Sequence, residues 1–212
     1  MKLIILGAPG AGKGTQAEIL SEKLSIPAIS TGAIIREAIE KKTPFGIKAK
    51  TYIDKGQLLP DDAVIEIIMH RIAEPDCKDG YILDGFPRTL SQAEVLDEYG
   101  IEIDTALSLE VDDDVIVERL SGRRECSVCR TPYHIVSNPP MVDGICDKCS
   151  SPLIAREDDV PEIIASRLKV YHEETAPVKE YYEAKGKLKR VMGESSVEAT
   201  SQSVLNALSE LI

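Results

Sequence analysis

The feature that most constrains the fold is a glycine-rich segment near the start of the chain, Gly7-Ala8-Pro9-Gly10-Ala11-Gly12-Lys13. It fits the pattern G-x-x-x-x-G-K, follows a short apolar run at 2–6 and opens an amphipathic stretch at 13–24. Glycines let successive backbone N–H groups point at one anion, the following helix adds its positive end, and the lysine supplies a full charge. The segment therefore predicts a strand, a phosphate-binding loop and a helix, and with them a nucleotide ligand.

Apolar runs and amphipathic stretches alternate along much of the remaining chain. The apolar runs predict strands at 2–6, 81–84, 106–111 and 188–192, with a weaker candidate at 27–30. The amphipathic stretches predict helices at 13–24, 61–72, 112–120 and 161–182. Such alternation is typical of an α/β fold with a mainly parallel sheet, helices on both faces and ligands at the carboxyl ends of the strands. We expect Asp112, Asp113 and Asp114 to cap the helix that follows them and to interact favourably with its dipole, in preference to forming a metal site.

Two segments interrupt the alternation and predict insertions into this core. Residues 31–59 contain helical patterns but no strand, and residues 122–159 contain four cysteines, several prolines and little helical periodicity. We expect a core of 1–29, 60–121 and 160–212, a helical insertion at 30–59, and a small separate lobe at 122–159. Hinges are expected near Gly122 and near Asp158-Asp159, although the two aspartates could equally cap the helix that begins at Pro161.

Charge and hydropathy exclude several classes of protein. The formal net charge is −11, which argues against a nucleic-acid partner because such a partner needs a basic face. No apolar run approaches the roughly 20 residues of a membrane span, and the run at 3–6 is too short for a secretory signal. We therefore expect a cytoplasmic protein without a membrane partner.

Four of the five cysteines have the spacing of a metal site. Cys126, Cys129, Cys146 and Cys149 form a C-x₂-C-x₁₆-C-x₂-C pattern, which is typical of a tetrahedral zinc site with a structural role. Iron also suits four sulfur ligands, and disulfides or free thiols are the remaining alternatives. The lobe is poor in large apolar residues, so metal ligation would supply much of its stability. The fifth cysteine, Cys77, is expected to be a buried thiol.

The phosphate loop departs from the general pattern at one position. Gly14 follows Lys13 where a serine or threonine usually contacts Mg²⁺, and Thr15 comes one residue later. Asp84, at the end of the predicted strand 81–84, is the expected acidic anchor for magnesium, through water, with a helix or turn cap as the alternative. Arg88 follows it in an unusual turn, and Gln92 lies one helical turn further on.

These residues together resemble adenylate kinases. The resemblance is carried by residues 7–16, which include Gly14, by Asp84-Gly85-Phe86-Pro87-Arg88, and by Gln92, and it covers essentially the whole chain. It implies a parallel-sheet nucleoside-monophosphate kinase core, an AMP-binding insertion at 30–59 and a mobile, zinc-bearing lid at 122–159. It also implies an enzyme that uses Mg²⁺ with ATP and converts ATP and AMP reversibly into two ADP. Separately, we expect a monomer.

The resemblance implies roles for individual residues as well. The implied ATP contacts are Gly10, Ala11, Gly12, Lys13, Gly14, Thr15, Arg119, Arg123, Pro132, Tyr133 and, by a loose alignment, Ser195. The implied AMP contacts are Thr31, Arg36, Gln57, Leu58, Leu59, Gly85, Phe86, Pro87, Arg88, Gln92, Arg156 and Arg167. The implied catalytic set is Lys13, Arg88, Arg123, Arg156 and Arg167. Arg124 and Arg130 lack a match and are expected to be surface residues.

General chemistry agrees with a phosphotransferase and leaves two rivals open. Phosphoryl transfer needs positioning and dispersed positive charge, which planar arginines provide without a protein nucleophile. One rival is a kinase that uses GTP as donor or UMP or CMP as acceptor. The other is an RNA-binding zinc ribbon on a nucleotide-binding core, which is disfavoured because residues 122–159 hold five basic against six acidic residues.

Overall fold

A five-stranded parallel sheet organises the core in the computed structural model of the chain, which describes residues 1–194 and 196–211. Its strands are β1 (Lys2–Gly7), β2 (Ala28–Ser30), β3 (Tyr81–Asp84), β4 (Thr105–Glu110) and β8 (Leu188–Met192). They lie in the order β2-β3-β1-β4-β8, and every neighbouring pair is parallel. The predicted α/β class is therefore confirmed, and the carboxyl ends of β1 and β3 lie side by side.

Helices cover both faces of this sheet. They are α1 (Lys13–Leu24), α2 (Thr31–Glu40), α3 (Pro44–Ile53), α4 (Asp61–Ile72), α5 (Leu90–Glu98), α6 (Asp113–Ser121), α7 (Pro161–Val170), α8 (Pro177–Ala184) and α9 (Val197–Ala207). Because successive strand residues point to opposite faces, Leu3 and Ile5 join one buried cluster while Ile4 and Leu6 join another. No helix in the described ranges is long and apolar enough to cross a membrane.

Local sequence explains where several helices begin and where one is interrupted. Ser30 and Thr43 cap α2 and α3 by accepting hydrogen bonds from backbone N–H groups, each contributing about 1 kcal/mol. The prediction of one continuous helix at 161–182 is wrong, because a π-helical turn, Tyr171–Thr175, separates α7 from α8. The N–H of Ala176 bonds to the Tyr171 carbonyl over five residues, and Pro177, which has no N–H, begins α8.

The aspartates before α6 act through the helix dipole more than through a cap. Asp112 occupies the N-cap position, but its side chain makes no capping hydrogen bond. Asp113 and Asp114 lie in the first turn, where negative charge is favourable next to the positive end of a helix. The prediction of side-chain capping is therefore wrong at Asp112, and the prediction of a favourable dipole interaction is confirmed.

The two predicted insertions have different internal structures. Residues 30–59 hold the packed helices α2 and α3. Residues 122–159 hold a small antiparallel sheet in the order β6-β5-β7, made of β5 (Arg123–Cys126), β6 (Pro132–His134) and β7 (Leu153–Ile154). Its strands are too short to show a clear alternating pattern in the sequence. After the roles that the sequence resemblance implies, we call residues 30–59 the AMP-side insertion and residues 122–159 the lid.

Candidate active site

The glycine-rich loop lies between β1 and α1, at the carboxyl edge of the sheet. Gly7, Gly10 and Gly12 all have positive φ, at 144°, 86° and 99°. These angles favour glycine at all three positions. Crowding also favours glycine at position 10, because a Cβ there would lie 2.8 Å from the Leu120 side chain. Gly12 is the N-cap residue of α1, so the loop ends at the positive end of that helix. The predicted strand, loop and helix are thus all present.

Lys13 is a partly buried cation at the centre of the site. Its Nζ donates hydrogen bonds of 2.8 Å to the carbonyl oxygens of Gly7 and Ala8. Burial lowers the pKa of the Lys13 ammonium to about 7; Asp84 opposes this shift, and three arginine charges add to it, those of Arg88, Arg167 and Arg123. The structure therefore brings most of the predicted catalytic set within electrostatic reach of one amine.

Asp84 lies where a magnesium anchor was expected. It ends β3, is 9% exposed, and its Oδ2 would be 3.5 Å from a Cβ placed on Gly14. A carboxylate oxygen facing the start of α1 suits a hard cation that bridges to the phosphates through water. The residues present therefore fit Mg²⁺ bound together with a nucleotide.

The turn after Asp84 positions Arg88. Gly85 has a φ of 79°, and a Cβ there would lie 2.8 Å from Thr31 Oγ1 and 2.9 Å from Arg88 Nη2. The Gly85 carbonyl accepts hydrogen bonds from Thr31 Oγ1 at 2.8 Å and from Arg88 Nε at 2.9 Å. Phe86 is buried and is joined to Pro87 by a cis peptide bond. Burial lowers the pKa of the Arg88 guanidinium, as expected for a cation in a largely dry site.

Gln92 is held by a partner that the sequence did not indicate. Its Oε1 accepts a 2.7 Å hydrogen bond from the Arg88 backbone, and its Nε2 donates to Asp61 at 2.6 Å. Asp61 also accepts from Thr89 Oγ1 at 2.9 Å. The sequence pattern predicted only that a helix begins at residue 61, whereas the carboxylate of Asp61 fixes the orientation of Gln92.

The remaining predicted AMP-side residues lie on α2 and in the segment that follows α3. Burial and the charge of Arg156 lower the pKa of the Arg36 guanidinium to about 10, against the opposing charges of Glu125 and Asp158. In the segment after α3, Gln57 is exposed, Leu58 is half-buried and Leu59 is packed in the core. Backbone groups of 57–59 are therefore better placed for recognition than the Leu59 side chain.

Arg123 and Arg167 converge on one pair of acidic residues. Arg123 donates two hydrogen bonds to the Asp159 carboxylate, at 2.6 and 2.7 Å. Arg167 Nη1 lies 2.9 Å from Asp159 Oδ1 and 3.0 Å from Asp158 Oδ2. Burial acts to raise the pKa of Asp158, yet that pKa lies below its ordinary value because of the surrounding arginines. The two aspartates thus hold arginines, and Val160 rather than either of them is the N-cap residue of α7.

Arg156 and Arg130 share a third acidic residue. The buried carboxylate of Glu125, in β5, accepts hydrogen bonds from Arg156 Nε and from Arg130 Nη1. Arg130 also forms an ion pair with Glu40 at the end of α2. Arg130 was expected to be a surface residue; its side chain is partly exposed but lies between the lid and the AMP-side insertion. Arg124 donates to the carbonyls of Ser121 and Arg123.

The residues predicted to contact ATP from α6 and from the lid lie in different parts of the structure. Arg119 donates to the Ala11 carbonyl at 3.4 Å and to the Glu194 carbonyl at 2.9 Å, so it joins the loop to the segment after β8. The side chain of Tyr133 is buried beside Cys146, which leaves its backbone, with that of Pro132, for any nucleotide contact. Ser195 lies outside the described residues.

The four cysteines of the lid come together as the spacing predicted. Their sulfur atoms all lie within 4.8 Å of one another, and Cys126 and Cys146 are buried whereas Cys129 and Cys149 are exposed. Four convergent thiolates fit one tetrahedral zinc ion with no open coordination position, which is the arrangement of a structural site. Cys77 is buried far from this group in sequence and lies 3.0 Å from Arg71 Nη1.

Comparisons with known proteins agree on one family. The family model described as adenylate kinase matches residues 5–187. The chain is 54% identical over 213 residues to the adenylate kinase of Acetivibrio thermocellus, covering 99% of this chain and 98% of the relative. It is 52% identical over 212 residues to the adenylate kinases of Ruminiclostridium cellulolyticum and Caldicellulosiruptor bescii, covering 98% of this chain and 99% of each relative.

Proposed function

This chain belongs to the adenylate kinase family, and we propose that it transfers the terminal phosphoryl group of ATP reversibly to AMP, giving two ADP. The observation that carries the proposal is the convergence of Asp84 and three arginines, Arg88, Arg123 and Arg167, on Lys13 of the glycine-rich loop, with Arg36 near Arg123 and Arg156. An AMP phosphate oxygen attacks the γ-phosphorus of ATP, and the bond from that phosphorus to the β–γ bridging oxygen breaks. The reaction needs no protein nucleophile.

Each group in the site supplies charge or position. Backbone N–H groups of the loop and the positive end of α1 hold the β- and γ-phosphates. Arg123 and Arg167 stabilise charge on the transferring group from one side, and Arg88 and Arg156 hold the AMP phosphate from the other. Guanidinium groups suit this work because they stay charged and bind phosphate oxygens in pairs. Asp158 and Asp159 keep the cations oriented until phosphates replace them as partners.

Two metals are part of the proposal. Mg²⁺, held at Asp84 through water, would neutralise charge on the β- and γ-phosphates when it binds with ATP. Zinc, held by Cys126, Cys129, Cys146 and Cys149, would stabilise the lid and take no part in the chemistry.

We also propose a cytoplasmic monomer. A reducing compartment keeps the four lid cysteines available as thiolate ligands. The described parts of one chain supply arginines from α2, β5, α7 and the turn after β3 to the same site. Light scattering after size exclusion is expected to give the 23.2 kDa mass of a single chain, and a doubled mass would contradict the monomer.

The function is tested by coupled assays with ATP, Mg²⁺ and four acceptors. We expect turnover with AMP and at least tenfold lower kcat/KM with CMP, UMP and GMP. Arg123→Ala should lower kcat by about 10²–10³-fold, as removal of one transition-state donor does. Arg124→Ala, its sequence neighbour, serves as the matched control and should keep wild-type kinetics. Failure to phosphorylate AMP would end the proposal.

A further inference from the structure

Glu125 is a buried carboxylate enclosed by arginines. It is 2% exposed, and both of its oxygens are engaged: Oε1 accepts from Arg130 Nη1 at 3.0 Å, and Oε2 accepts from Arg156 Nε. A buried carboxylate is stable only when it is paired, so these contacts fix all three side chains relative to one another. Glu125 therefore determines where the Arg156 guanidinium lies.

Arg130 stands in the turn formed by the first cysteine pair. Its φ is 60°, and Ser150, at the matching position after Cys149, has a φ of 59°, so this left-handed backbone is a shared feature of the two cysteine turns. The Arg130 guanidinium reaches from the turn of the four-cysteine lobe to Glu40, the last residue of α2. It thereby connects the lid to the AMP-side insertion.

The electrostatics of the insertion point to the same carboxylate. Arg36, on α2, has a pKa lowered first by burial and next by the charge of Arg156, while Glu125 is the largest opposing influence. Glu125 thus offsets repulsion among arginines that come from both lobes. Its removal would leave those cations facing one another without their shared counter-charge.

We propose that Glu125 is a positioning residue for Arg156, and that Arg130 connects it to Glu40, so that closing the AMP-side insertion against the lid orients Arg156. The inference rests on the proposed function in one respect, the contact of Arg156 with a substrate phosphate. It predicts that Glu125 acts on catalysis through Arg156 and that Arg130 acts through Glu125. A purely structural Glu125 would affect lid stability and metal content instead.

A double-mutant cycle separates these two roles. Glu125→Gln is expected to lower kcat/KM for AMP by about tenfold, because a misplaced Arg156 would no longer hold the substrate phosphate in the productive position. Arg156→Ala should lower it further, and the double variant should match Arg156→Ala, because Glu125 then has nothing to position. Metal content and melting temperature are measured for each variant. Additive losses in the double variant, or a Glu125→Gln protein that loses its metal but keeps its kinetics once metal is restored, would overturn the inference.

Arg130 and Glu40 give a second, independent test. Arg130→Gly relieves the left-handed backbone, which glycine accepts without strain, but it removes one of the two cations that pair with buried Glu125, so its melting temperature and metal content are measured beside its kinetics. The variant should lower kcat/KM for AMP several-fold, and Glu40→Gln should change it in the same direction. Glu37→Gln is the matched control, since Glu37 lies on the same helix and pairs with exposed Lys41.

The outcomes distinguish this inference from the proposed function. A wild-type protein that does not phosphorylate AMP defeats the proposed function before any variant is compared. A wild-type protein that does so, with Glu125→Gln and Arg130→Gly both kinetically equal to Glu37→Gln, defeats only the positioning role.

Discussion

Lys13 is the residue whose charge depends most on the state of the site. Burial, with a contribution from nearby arginines, lowers the pKa of its ammonium to about 7. Above that pH the amine in the free enzyme is mostly neutral and its hydrogen bonds go to the carbonyls of Gly7 and Ala8. A bound polyphosphate would raise the pKa again because it adds negative charge. Nucleotide binding above pH 7 must therefore take up a proton.

This linkage gives a pH-dependent affinity with a definite sign. The complex binds more protons at Lys13 than the free enzyme does above pH 7, so ATP affinity should fall as pH rises from 7.5 to 9. The limiting slope is about tenfold per pH unit for one proton. Calorimetric titrations with ATP in two buffers of different ionisation enthalpy are expected to show that ATP binding takes up nearly one proton.

Lys13→Arg is the matched control for the proton count. A guanidinium stays charged throughout this pH range, so the Lys13→Arg protein should bind ATP without taking up a proton at this position. Wild-type binding with no proton uptake, or with the same uptake as Lys13→Arg, would show that Lys13 is not the group that titrates.

At the scale of single residues, the sequence predicted the cations of the site but not the anions that hold them. Gly7, Gly10, Lys13 and Arg88 stand in motifs whose spacing is itself the signal. Glu125 carries no such signal, because its partners Arg130 and Arg156 meet it only in the folded lid. Acidic residues are common on any surface, and only burial distinguishes those that orient a cation.

At the scale of elements, Gly46 controls how closely α2 and α3 pack. A Cβ at Gly46 would lie 2.0 Å from the Ala38 carbonyl oxygen, which is backbone of the neighbouring helix and cannot move alone. Gly46→Ala should therefore force the two helices apart, with a cost of roughly 1–3 kcal/mol for overpacking. Because Arg36 lies on α2, KM for AMP should rise by at least about tenfold, while affinity for ATP stays unchanged.

A variant at the neighbouring position, Ile47, distinguishes an effect of packing between α2 and α3 from a general effect of changing α3. Ile47 is 63% exposed, so Ile47→Ala removes little buried area and should leave KM for AMP within about twofold of wild type. Steady-state kinetics with each substrate varied in turn make the comparison. An unchanged KM for AMP in Gly46→Ala would show that the helices tolerate the methyl group.

The lid is the element whose stability should depend on metal. Its buried apolar cluster is small, comprising Cys126, Tyr133 and Cys146 with Leu153 packed against it. Ligation of a structural zinc ion is worth about 10–16 kcal/mol in small zinc domains, more than such a cluster can provide. Chelation, or Cys149→Ser, should make the lid melt before the core, which scanning calorimetry would record as two separate transitions.

Cys77→Ala provides the control for metal loss. Cys77 is buried against Arg71, away from the four-cysteine group, so its removal should keep the metal content and a lid that melts with the core. Limited proteolysis locates the early transition, which should expose cleavage sites within 122–159. Coincident transitions with and without chelator would contradict a lid that depends on metal.

Periodicity predicted the long elements well and the short ones poorly. The bounds of α1, α4, β3 and β8 match the sequence patterns because each has a complete apolar face or run. The strands of the lid escaped prediction because they span only two to four residues and lie beside cysteines instead of a large core. The break after α7 escaped prediction because the apolar pattern continues through the π-helical turn.

At the scale of the whole molecule, contacts between the lobes join residues that are far apart in the sequence. Arg130 and Glu40 are separated by 90 positions, and Lys50 and Glu157 by 107. The sequence predicted three parts with a mobile lid, but it could not predict which charges face one another when the parts meet. That pairing depends on the closed arrangement of the lobes and has no local pattern.

The Lys50–Glu157 pair offers a test of whether attraction between the lobes contributes to substrate binding. The Lys50 Nζ of the AMP-side insertion lies 2.8 Å from Oε2 of Glu157 in the lid. It also lies 2.8 Å from Oδ1 of Asp54, the C-cap residue of α3. The Glu157 side chain is 86% exposed, so its pair with Lys50 should contribute no more than about 1 kcal/mol to the attraction between the lobes. Lys50→Glu should raise KM for AMP about threefold, because like charges then oppose closure.

Restoring the attraction with the charges exchanged should restore the kinetics. In Lys50→Glu/Glu157→Lys the cross-lobe pair is re-formed with opposite polarity, and most of the loss in KM should be recovered. The difference between single and double variants should shrink in about 0.5 M salt, because an exposed pair is screened. Lys41→Glu is the control for adding negative charge to the insertion, since Lys41 pairs with Glu37 on its own helix. If the double variant remained as impaired as Lys50→Glu at every salt concentration, cross-lobe attraction would have no part in AMP binding.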